Sequence, residues 1–130
     1  MNKDRYVFSQ ITDFVSYYEF NKYVEKYNGN KRMRRLSCRD QFLSMMFGQL
    51  TGLQSLRGIT LCLNAHKNEL YHLGFRSKSF VLSTLSRANQ FRDWQIWRGL
   101  TENFIHKARS LYAHENDFSI ELKNTDYVLD

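Results

Sequence analysis

Apolar residues recur at three- and four-residue spacing along most of this chain, the period at which side chains return to one face of an α-helix. Phe14, Tyr17, Phe20, Val24 and Tyr27 form one such stripe and predict a helix over 17–27, preceded by a short one over 9–15. Asn28-Gly29-Asn30 ends it, because Gly and Asn accept the left-handed conformation that closes helix C-termini. Phe42, Leu43, Met46, Phe47 and Leu50 give the apolar face of a helix over 38–51. Ser37 opens that helix in a capping-box pattern, with Asp40 in place of the usual Glu, and Thr51-Gly52 closes it. Ser55 caps a shorter helix carrying Leu56, Ile59 and Leu63, and a further turn or two over 67–73 stops at Gly74. A helix over about 80–91 follows the polar loop Phe75-Arg76-Ser77-Lys78-Ser79. Asp93 then caps the longest helix, whose stripe is Trp94, Trp97, Leu100, Phe104, Ala108, Leu111 and Tyr112. After Asn116 the period changes to two: Phe118, Ile120 and Leu122 alternate with polar residues, Lys123-Asn124-Thr125 reads as a turn, and 126–130 as a second strand. The expected fold is mainly α, a compact helical bundle over 1–115 with a helix-turn-helix-like portion, followed by a C-terminal β-hairpin over 116–130.

At 130 residues, 42% hydrophobic and 25% charged, the chain has one domain's worth of core-forming material. Charge changes the picture more than composition does. Residues 22–109 hold 16 Lys/Arg against 5 Asp/Glu, a local +11, whereas 115–130 hold 5 acids and one Lys. Cys38 and Cys62 lack CxxC or Cys/His metal spacing, the pattern of reduced cytosolic thiols. No apolar run has the length of a membrane span and the polar start does not resemble a signal peptide. A cytoplasmic location without a membrane partner is therefore expected.

The densest charge is Lys31-Arg32-Met33-Arg34-Arg35-Leu36-Ser37-Cys38-Arg39, five cations in nine residues with no acid among them. Such a run is either an electrostatic footprint for the DNA backbone or a solvated connector. From Ser55 to Gln90 the pattern reads either as a helix-turn-helix relative or as helices with an ordinary polar face. In the first reading Ser83, Thr84 and Arg87 are the outward groups of the reading helix, and Arg76 and Lys78 are flanking phosphate contacts. His66, His72, His106 and His114 show no paired spacing that suggests zinc. Asp130 ends a predicted strand, where a carboxylate can ligate a hard divalent cation, but one carboxylate does not make a two-metal site.

Several blocks in order, Asn28-Gly29-Asn30-Lys31-Arg32-Met33-Arg34-Arg35, Cys38-Arg39-Asp40-Gln41-Phe42-Leu43, Gln49-Leu50-Thr51-Gly52, Ser55-Leu56-Arg57, Leu63-Asn64-Ala65, Leu70-Tyr71-His72-Leu73-Gly74, Ser83-Thr84-Leu85, Ala88-Asn89 and Arg92-Asp93-Trp94, resemble the N-terminal region of bacterial insertion-sequence transposases of the "IS four" type. The resemblance covers essentially the whole chain. It implies a helical domain that binds transposon terminal inverted repeats, ahead of a ribonuclease-H-like core with a DDE triad. Asp130 would be the first triad member and, in a full-length enzyme, would help hold Mg²⁺. With the sequence ending at Asp130, the expectation is a catalytically incomplete fragment that needs no cofactor. Lys31, Arg32, Arg34, Arg35 and Arg39, with Arg76 and Lys78, are expected to grip phosphates of double-stranded DNA; Ser83, Thr84 and Arg87 are expected to reach base edges. The setting implied is bacterial and nucleoid-associated. Two alternatives stay open: a dimerisation module whose partner is a second copy of the chain, and a stand-alone repressor bound at transposon ends.

Overall fold

The computed structural model describes residues 7–31 and 35–112. Among these it contains α1 (Val7–Thr12), α2 (Tyr17–Lys26), α3 (Cys38–Thr51), α4 (Leu56–Ala65), a 3-10 turn (Lys67–Glu69), α5 (Leu82–Phe91) and α6 (Trp94–Tyr112), and no strand. The described chain is thus mainly helical, as its periodicity predicts, and the hairpin expected over 116–130 lies outside the described residues. The chain divides into two compact units, Met1–Asp93 and Trp94–Asp130. No helix among the described residues is long and apolar enough to cross a membrane.

In the first unit, serines start three helices. Ser16, Ser37 and Ser55 each sit in extended conformation, and their hydroxyl oxygens accept from the N–H groups of Glu19, Asp40 and Gly58 at 3.5, 3.1 and 3.0 Å. Each contact satisfies one of the orphan donors of a first helical turn. The α2 end is a Schellman turn. Asn28, not Gly29, takes the left-handed conformation at φ 54°, and the Gly29 N–H donates to the Val24 carbonyl at 2.7 Å. Phe14 departs from its predicted stripe: it is 78% exposed, while Phe20 and Val24 are buried. Ser16 breaks the chain between the two short helices, so helical phase restarts after Phe14.

α3 packs on α4 and α5, and α4 packs on α5. Leu43 of α3, Ile59 and Leu63 of α4 and Leu85 of α5 meet in one core with Leu36, Leu70, Leu73, Phe75 and Phe80 from the connecting segments. Connectors rich in large apolar side chains thereby become structural parts of the core. The closest approach is at Gly48, where an added Cβ would lie 2.4 Å from Ile59 Cδ1. An edge-and-stack series of rings, Phe47, Phe8, Phe75 and Phe80 with centroids 5.2–6.0 Å apart, ties α1 and α3 to the loop before α5.

In the second unit, Ile96, Gly99 and Leu100 are the buried residues of α6. Trp94, placed by periodicity in the apolar stripe, is instead 60% exposed, as is Leu111 at 73%. The Arg98 guanidinium lies 5.8 Å from the Trp94 ring centroid and its Nε is 3.0 Å from Glu102 Oε1. Both partners of that i, i+4 pair are well exposed, so it adds little stability.

Candidate functional site

The site is built from a buried anion outward. Asp40, in the first turn of α3, is 1% exposed. Its Oδ1 accepts from the Arg76 backbone N–H at 3.1 Å and its Oδ2 from the Ser77 N–H at 2.8 Å. The Ser77 hydroxyl lies 2.7 Å from the same Oδ2 and 3.2 Å from the Arg35 carbonyl oxygen, and donates to one of them at a time. The capping-box expectation is therefore half met. Ser37 caps α3, but the Asp40 side chain does not return to the helix start; it spends its oxygens on a loop 36 and 37 residues further on. A carboxylate this buried needs charge-assisted donors, and the loop backbone supplies them.

That anchoring fixes the loop 75–78 beside α3. The turn before it ends at Gly74, with φ 97°, and the Phe75 N–H donates to the Leu70 carbonyl at 3.0 Å. The two segments enclose an open groove of about 690 Å³ lined by Arg39, Lys67, Tyr71, His72, Arg76 and Lys78 together with apolar and small residues. No carboxylate stands among the described residues of its lining, and none of the four Lys/Arg side chains forms an ion pair with a described residue.

Arg39 is the most constrained of the four. Its guanidinium stacks 4.3 Å from the Tyr17 ring centroid, and one of its terminal nitrogens passes 3.7 Å from where a Cβ on Gly74 would be. Its Nε is buried and finds no hydrogen-bond partner among the described residues. The planar cation is held in one orientation with unused donor capacity.

A second, smaller cavity of about 40 Å³ brings Arg35 together with Ser77, Ser79 and Thr84. Of the residues predicted from sequence, Arg39, Arg76 and Lys78 thus meet in the groove, and Arg35 and Thr84 meet in the small cavity. Lys31 is exposed after the α2 turn, and Ser83 and Arg87 are exposed on α5; these three line neither cavity. Arg32, Arg34 and Asp130 lie outside the described residues. Among those described, no three His, Cys, Asp or Glu side chains converge as metal ligands. Lys67, Tyr71 and His72 escape sequence reasoning because only the Gly74 turn folds them back toward Arg76, and the one available signal was that isolated glycine.

The polar face of α5 is also partly committed to structure. Asn89 Oδ1 accepts from Gln41 Nε2 at 2.7 Å, Gln41 Oε1 accepts from Arg92 Nη1 at 2.8 Å, and Arg92 Nη2 donates to the Leu36 carbonyl. Gln41 is 2% exposed. Burial lowers the Arg92 pKa and raises that of Cys38, and each of the two groups partly offsets the other's shift. Gln41 is thus buried at the centre of this network, whose Asn89 end reaches the surface.

A helical module with an anchored, acid-free basic groove is the class these features define. The chain belongs to the family described as "Domain of unknown function (DUF4372)", which matches residues 3–76. No curated protein and no solved structure matches it.

Proposed function

We propose that this chain is the DNA-binding N-terminal part of a transposase that recognises transposon terminal inverted repeats. The observation carrying the proposal is the convergence of Arg39, Lys67, Arg76 and Lys78 on one groove with no carboxylate among its described lining residues. Cations gathered in one groove with no acidic partner among the described residues repel one another, a cost that a polyanion offsets through counterion release. The residue blocks shared with "IS four"-type transposases support the same reading. Arg39, Arg76 and Lys78 grip phosphates; Arg35 and Lys31 extend the positive surface; Ser83, Thr84 and Arg87 face the base edges.

The test is binding of the chain to a labelled duplex carrying the inverted repeat that borders its own gene, against a scrambled duplex, over a salt series. Tighter binding to the repeat, with affinity falling steeply as salt rises, is expected. Affinity independent of salt would overturn the proposal. A dimerisation module remains the second reading, favoured by the exposed Trp94 and Leu111 of α6; it predicts a concentration-dependent mass without DNA.

A further inference from the structure

The groove carries an aromatic side chain that phosphate contacts alone do not require. Tyr71 lines it and is 83% exposed, with its ring packed edge-on to His72 at 5.7 Å. A ring so exposed contributes little to the core. Single exposed apolar residues are ordinary; one set in a concavity among four cations that form no ion pair with a described residue is the combination of a stacking platform with an electrostatic channel. Shape narrows the occupant further. Base edges within a duplex are read by elements that protrude into its grooves, whereas a recess can admit a base that is unpaired. The groove's volume of about 690 Å³ leaves room for an occupant of nucleotide size.

We propose that the groove seats a short single strand of DNA, with phosphates on Arg39, Lys67, Arg76 and Lys78 and one base stacked on Tyr71. The inference rests on the DNA-binding reading and adds to it that part of the bound DNA is unpaired. Arg39 supplies the fixed end of the seat, since Tyr17 already orients it. Arg76 and Lys78 project from a loop whose main chain is anchored by Asp40.

The experiment compares the 130-residue chain with its Tyr71→Ala and Tyr71→Phe variants in binding labelled oligo(dT), and separately a fully paired hairpin duplex. Tyr71→Ala should weaken oligo(dT) binding roughly tenfold or more and leave duplex binding within about twofold, while Tyr71→Phe retains both. An oligonucleotide bearing 2-aminopurine should lose fluorescence on binding the unaltered protein, a direct stacking signature that needs no variant. Wild-type affinity of Tyr71→Ala for oligo(dT), or unquenched 2-aminopurine in the complex, would overturn the inference. Duplex binding without oligo(dT) binding would overturn it while sparing the DNA reading, whereas binding of neither would sink both. Preference for an oligo(rU) of equal length would overturn the assignment to DNA.

Discussion

Asn64 and Phe80 are joined by two hydrogen bonds in opposite senses: the Asn64 side chain donates Nδ2–H to the Phe80 carbonyl and accepts the Phe80 N–H at Oδ1, both at 2.8 Å. One amide thereby imitates a strand partner for a buried backbone unit between α4 and α5. Because donor and acceptor face opposite partners, the orientation of the amide is fixed by the pairing itself. Asn64→Ala would strand both backbone groups of Phe80 and is expected to cost about 2–3 kcal/mol. Asn64→Asp should also destabilise, since its second oxygen would face the carbonyl. Urea unfolding followed by circular dichroism would show both shifts; unchanged midpoints would rule out the pairing.

Asp40 should be intolerant of its closest isostere. Asp40→Asn places an NH₂ group against the N–H donors of Arg76 or Ser77, and a loss of about 2–4 kcal/mol is expected, whereas Ser77→Ala should cost about 1 kcal/mol. Both variants loosen the groove, so DNA affinity should fall further for Asp40→Asn than for Ser77→Ala. Equal stability of the two variants would contradict the anchoring role.

Gly48 and Ile59 should be energetically coupled. Gly48→Ala gains about 1 kcal/mol of helix propensity but drives a methyl against Ile59, an overpacking cost of about 1–3 kcal/mol. Ile59→Val alone should cost about 0.5–1.5 kcal/mol. It removes the Cδ1 nearest the new methyl, so in the Gly48→Ala background it should cost less or stabilise. A double-mutant cycle on thermal midpoints measures this, and simple additivity would refute it.

Cys38 supplies a pH signature. Burial pushes its thiol above the ordinary value of 9.0, against a smaller lowering by Arg92. An acid whose folded pKa is raised stabilises the fold fully below the unfolded pKa. That contribution is lost as pH rises through the ordinary thiol range, where the unfolded chain ionises and the folded one does not. Stability should therefore fall on going from pH 8 to pH 10, and less steeply in Cys38→Ala, as read from urea midpoints at each pH. Identical slopes for the two proteins would count against a buried, neutral thiol.

Charge removal should separate the groove from the rest of the basic surface. Arg76→Gln with Lys78→Gln should reduce the slope of log affinity against log salt by about 1.8, at ~0.9 per phosphate contact on duplex DNA. The same change at Lys31 alone should reduce it by no more than about 0.9. A larger effect at Lys31 would move the main contact surface away from the groove.

Local rules were enough to read much of the fold. Ser37 and Ser55 cap the helices that their sequence neighbourhoods announce, and Gly52 and Gly74 stop the segments before them, because capping and left-handed turns depend on a few adjacent residues. Phe14 leaves its stripe because the period does not continue across Ser16, where the helix is interrupted. Leu100 is buried as its stripe predicts, but Ile96 and not Trp94 accompanies it, because apolar residues crowd the start of this helix and spacing does not say which of them is buried. Arg39, Arg76 and Lys78 were individually legible as cations. Their meeting was not, since it follows from Asp40 reaching across 36 residues to a backbone N–H, a pairing without a local signature.

Asp40 holds residues 76 and 77 by their main chain, and no side-chain hydrogen bond ties down Arg76 or Lys78 among the described residues. Architecture and vocabulary are therefore separable at this loop. Its path is written by one aspartate and one serine, while positions 76 and 78 can be rewritten with little penalty to folding. A scaffold of this kind can change the side chains it presents without relearning how to fold.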